Sequence, residues 1–175
     1  MKNGEFRVII AILTLLIALG LFLGGFTIYN RVGVEQPLTK ELHMIEAVEK
    51  VDINKDKVYK IEVQLNRVEN IQTVYQDLVK TIAAKLDKNE YELVLADQPN
   101  AKLNDLSAQL QPAIYQALAN NQFLWLDEKL AEISGEAEIT YSLFIDDKCV
   151  YIQLIDGDSY TYQVLTRPSA ITTSL

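Results

Sequence analysis

One cysteine, one histidine and seven glycines among 175 residues leave little material for the commoner kinds of reactive site. A lone Cys149 cannot close an intramolecular disulfide, so the stability of any domain here has to come from packing. It also lies far from the start of the chain, which excludes a lipid anchor attached through an N-terminal thiol. His43 has no second histidine or cysteine close by, so a zinc site is not expected. Gly20, Gly24, Gly25 and Gly33 fall in or beside one apolar segment, and no glycine-rich loop remains to cradle a phosphate. No serine sits in a G-x-S-x-G context.

Positive charge is scarce as well. Beyond Arg31 the chain carries 13 basic against 23 acidic residues. Nucleic acid is thereby excluded as a partner, since phosphate binding rests on clustered Lys and Arg. Anionic headgroups repel such a domain, which is expected to stand off the bilayer surface.

What the chain does have is one long apolar run. From Val8 to Asn30 there are 23 positions without a charge, and about 20 residues at roughly 1.5 Å each cross the hydrocarbon core as a helix. The run is too long for a secretory leader and lacks a polar mature start, so an uncleaved anchor in membrane lipid is expected. Lys2 and Arg7 precede it and Arg31 follows it, a bias that places the N-terminus in the cytoplasm and the main domain outside the cell membrane. Gly20 and Gly24 form a GxxxG, a candidate face for helix association, although glycine is common in membrane helices for other reasons.

The expected organisation is a cytoplasmic N-terminus over 1–7, a transmembrane helix over 8–30 and a linker with an amphipathic neck helix over 31–56. An extracytoplasmic domain over 57–167 and a flexible tail over 168–175 complete it. Leu38, Leu42, Ile45 and Val48 recur at helical spacing and define the neck. Tyr59 to Leu65 alternates as a half-buried strand, and Glu69 to Leu86 reads as an amphipathic helix. Tyr91 to Ala96 is a second strand, apolar enough to be covered on both faces. Asn100 is placed to cap a helix that Pro112 should kink or split, and a shorter helix spans Trp125 to Ile133. A meander of three strands over 139–165 closes the domain. Its middle strand is apolar on both faces and should be interior or covered on both sides. The order β-α-β-α-α-β-β-β predicts an α+β fold with a mixed sheet and helices packed on one face.

Candidate chemistry is thin. Asp52-Ile53-Asn54-Lys55-Asp56 opens like a calcium loop, but Lys57 and Val63 occupy the places where that loop needs glycine and glutamate. Asp146-Asp147 and Asp156-Gly157-Asp158 match what hairpin turns select. Glu128 and Glu132 lie one helical turn apart, as an acid–base pair would, but Lys129 beside them suits a solvated helix face. Cys149 lies in a strand expected to be buried. Tyr160 and Tyr162 form a candidate interaction patch if they face solvent, because tyrosine is enriched at interfaces.

No catalytic residue, metal or cofactor is expected, and the chain is not read as an enzyme. The leading expectation is a membrane-anchored module of a bacterial envelope that binds another envelope protein or itself. A small-ligand sensing domain, with a polar pocket under Pro112, stands second. A carboxylate-based hydrolase using Glu128 and Glu132 stands third.

Overall fold

The computed structural model describes residues 13–19 and 31–168. Positions 13–19 are helical, with Leu13, Leu15, Leu16, Ile17 and Leu19 all exposed. Among the described residues no helix is long and apolar enough to cross a membrane. Most of the span expected over 8–30, Gly20 and Gly24 included, lies outside the described residues, as does the tail after Pro168.

A π-helical turn (Arg31–Glu35) runs into α1 (Gln36–Leu42), which has Pro37 in its first turn. Leu38 and Leu42 are buried, so this short helix is laid against the domain. The expected neck does not extend to Val48, which instead begins β1 (Val48–Lys55), a strand paired antiparallel with β2 (Tyr59–Leu65). A bulge accounts for the difference. The register passes from Val48↔Leu65 to Lys50↔Gln64, leaving Glu49 without a partner. Val48 and Val51 therefore share one face of the sheet at a spacing of three, which in sequence imitates a helix.

Beyond β2 the chain forms α2 (Ile71–Ala83), where the Asn70 side chain accepts a hydrogen bond from the Thr73 amide at 3.1 Å. It then adds β3 (Tyr91–Ala96) parallel to β2. The first sheet is thus mixed, in the order β1-β2-β3. Its inner face carries Tyr59, Ile61, Val63 and Leu65 against α1 and α2. Its outer face carries Lys60, Glu62 and Gln64 of β2, with Glu92, Val94 and Ala96 of β3 beside them.

Asn100 caps α3 (Ala101–Asn120) as expected, accepting from the Leu103 amide at 2.9 Å. Pro112 does not split this helix. Proline leaves the carbonyl of Ala108 without its usual donor, but Ala108 and Pro112 are both exposed, so water can serve it. Asn121 ends α3 in the left-handed region (φ 53°), a conformation asparagine tolerates. α4 (Phe123–Glu136) packs back along α3.

The meander follows as β4 (Thr140–Ile145), β5 (Cys149–Asp156) and β6 (Ser159–Thr166), antiparallel throughout. Gly157 turns β5 into β6 with φ 61°, the first central position of a two-residue II′ turn. As the two-faced apolar pattern implied, β5 is central and covered on both sides. Val150, Ile152 and Leu154 face α3 and α4, whereas Tyr151 joins the core shared with α2 and the first sheet.

After the π-helical turn the observed order is therefore α-β-β-α-β-α-α-β-β-β, in two sheets. Helices cover both faces of the meander, not one. Among the described residues one isolated backbone bridge, Gln98 to Tyr160 with both N–H···O distances 3.2 Å, runs between the sheets.

Candidate functional site

Where α2 meets the meander, the hairpin carboxylate Asp146 collects four donors. Its Oδ1 accepts from the amides of Lys148 and Cys149, both at 2.7 Å. Its Oδ2 accepts from the Tyr151 hydroxyl at 2.7 Å and the Gln76 amide at 2.9 Å. Arg167 adds a bond to the Asp146 carbonyl at 2.7 Å. Turn chemistry accounts for the first two, and the others clip the hairpin to α2. Burial pushes the carboxyl up, but the bonds from Tyr151, the two amides and Gln76 outweigh it and hold Asp146 well below the usual carboxylate range.

The same contacts disable the neighbours as reagents. Burial and the bond to Asp146 push the Tyr151 phenol far above its ordinary value. Burial, then the Asp146 charge, push the Cys149 thiol up, against a smaller opposing effect of the Tyr151 hydrogen bond. A thiol held protonated is neither a nucleophile nor a ready metal ligand. Tyr75 stacks edge-on against Tyr151 with centroids 5.7 Å apart, closing the cluster.

A second polar cluster holds residues 65–71 against the inner face of the meander. Gln153, 2 % exposed, donates to the Val68 carbonyl at 2.7 Å and accepts from the Ile71 amide at 3.3 Å. Tyr160 donates to the Leu65 carbonyl. The Tyr162 hydroxyl accepts from the Val68 amide at 3.0 Å and donates to the Asn66 carbonyl at 3.3 Å. Tyr160 and Tyr162 are only 4 % and 6 % exposed, so the expected solvent-facing patch is not there. Their hydroxyls anchor backbone, and burial pushes the Tyr162 phenol up to about 12. Asp97, just beyond β3, accepts from Thr161 and from the Tyr162 amide.

The remaining candidates stay apart. Glu128 and Glu132 lie exposed on α4, with Glu132 paired to Lys129. Asp52 and Asn54 alternate along β1 and form no loop. Asp156 accepts from Asn100 at 2.7 Å and Lys102 at 3.4 Å, at the opposite end of β5 from Asp146. His43 is exposed beyond α1. Among the described residues no three His, Cys, Asp or Glu side chains converge as a metal site would require.

What faces solvent is of a different kind. An open groove of ≈ 1210 Å³ runs between the Glu41–Ala47 connection, residues 66–69 and the outer side of α2 at Val74, Asp77 and Lys80. Met44, on its rim, is 71 % exposed. A smaller crevice of ≈ 340 Å³ separates α1 from Ile53 of β1. Both lie around α1 and α2, away from Pro112, where the ligand-sensing alternative would place its pocket. Comparison with protein-family models, curated proteins and solved structures finds no match.

Proposed function

We propose that the chain is a single-pass membrane protein that presents its α+β domain outside the cytoplasm as a non-catalytic interaction or assembly module. The anchor rests on the 23 uncharged positions from Val8 to Asn30. One structural contrast carries the rest. The groups best suited to chemistry (Asp146, Tyr151, Cys149, Asp97) are spent on internal contacts. The open features are a groove, a sheet edge at β1 and exposed apolar side chains such as Met44 and Leu124. Such features suit a protein partner.

The test is amine cross-linking of the full-length chain in intact cells, with protease protection run alongside. The reading expects bands above the monomer mass and digestion of the domain from outside the cell. A chain that remains in the aqueous fraction on lysis, or is never cross-linked, would refute it.

A further inference from the structure

Within that reading, we propose that the open edge of β1 joins two copies of this chain, antiparallel about a two-fold axis at Ile53. The direction of the backbone groups comes first. The Tyr59 amide bonds to Glu90 on the β3 side of β2, and the Asn66 amide bonds to Ala47 on the β1 side. Backbone groups alternate along a strand, so Lys60, Glu62 and Gln64 face β1 and are answered by Asn54, Asp52 and Lys50. Val51 and Ile53 accordingly aim their N–H and C=O groups off the sheet. Among the described residues no other strand pairs with them.

Side chains make the edge incomplete on both faces. On the inner face Ile53 is only half-buried and borders the crevice under α1 lined by Glu35, Gln36, Thr39 and Lys40. An apolar side chain arriving beside Ile53 would occupy that space. On the outer face Asp52 lies directly opposite Glu62, an arrangement of like charges that weakens a sheet. Neither carboxylate makes an ion pair among the described residues.

Charge selects the register. Centred on Ile53, the pairing sets Asn54 of each copy against Asp52 of the other, so an amide donor meets each crowded carboxylate. Lys50 meets Asp56, and Val51 lies opposite Lys55. Moving the axis one residue towards the N-terminus opposes Asp52 to Asp52. Moving it one residue towards the C-terminus opposes Asp52 to Asp56. Moving it to Val51 runs the partner into the bulge at Glu49. Bulges and edge lysines are the usual guards against indiscriminate pairing. In the Ile53 register the bulge lies outside the paired segment and Lys50 is matched.

The test uses the full-length protein in mild detergent, with Cys149→Ser as background. Ile53→Cys should give a disulfide-linked dimer on treatment with diamide, because facing residues of a bonded pair lie within disulfide reach. Val51→Cys should not, since Val51 faces Lys55. Asn54→Asp, on the exposed face, should raise the dimer dissociation constant about tenfold at low salt and by less at high salt. Ile53→Pro should give monomer, and a thermal melt reports whether it is folded. A dimer that survives Asn54→Asp unchanged and does not cross-link at Ile53 would overturn this edge while leaving the interaction module standing. A monomer with no bound partner at any concentration would overturn both.

Discussion

Gln153 is the most exacting place to test the way the two layers are joined. It lies in the middle of β5, 2 % exposed, and its amide spans Val68 and Ile71, so one side chain fastens the segment before α2 to the meander. Gln153→Leu keeps the volume and removes both bonds. The Val68 carbonyl and Ile71 amide are then left in a buried setting, and each stranded group costs about 1–3 kcal/mol. The Ile71 amide is among the first of α2 and has no helical partner to fall back on. The total is about 2–6 kcal/mol, a large share of the roughly 5–15 kcal/mol that holds a domain together. For a domain of this size that is a fall in Tm of about 5–20 °C. Urea denaturation followed by circular dichroism measures it, with Gln64→Leu as the control. Gln64 bonds to Glu49 at an exposed site, and its loss should change stability by about 0.5 kcal/mol or less. If Gln153→Leu fell within that same margin, the clamp on residues 65–71 would not be holding the layers.

Three further outcomes follow from particular residues. Pro112→Ala should stabilise the protein by about 1–3 kcal/mol in thermal denaturation, since it restores a donor to the Ala108 carbonyl in a helix that is already continuous. Gly157→Ala should cost about 1 kcal/mol, because φ 61° strains any side chain even though nothing lies within 4 Å of the added Cβ. Asp146 sits below its unfolded pKa near 3.9, so its contribution is complete above that value and is lost as pH falls through it towards the folded value. Denaturation between pH 6 and 3 should therefore show Asp146→Asn less stable than the parent at pH 6, with the difference narrowing as the pH drops. A constant difference would refute the linkage.

Much of this fold is legible in the sequence where one periodicity acts alone. β2 alternates cleanly because one face is buried and the other wet. β5 is apolar on both faces because it separates two cores. Asn100 signals its cap by position. β1 escaped because the bulge at Glu49 broke its period, and an edge strand with a polar outer face carries few apolar residues to betray it. The separation into two sheets was not readable either, since strand partners depend on contacts up to 96 residues apart, such as Tyr162 to Asn66.

Site residues divide along the same line. Asp146 was recognisable as a turn former, but its bonds to Gln76 and Tyr151 depend on where α2 settles. Gln153 and Asp97 gave no local sign, because a polar side chain buried against distant backbone resembles any other polar residue in sequence. Tyr160 and Tyr162 could be placed on a strand but not on a face. Their hydroxyls proved to be needed inside.

The most direct test of the proposed interaction module is native mass spectrometry of the full-length chain in mild detergent. The account predicts a species at twice the 19.8 kDa chain mass, or a heavier complex with a partner, that persists on dilution. A bare 19.8 kDa monomer at every concentration, with nothing bound, would contradict it.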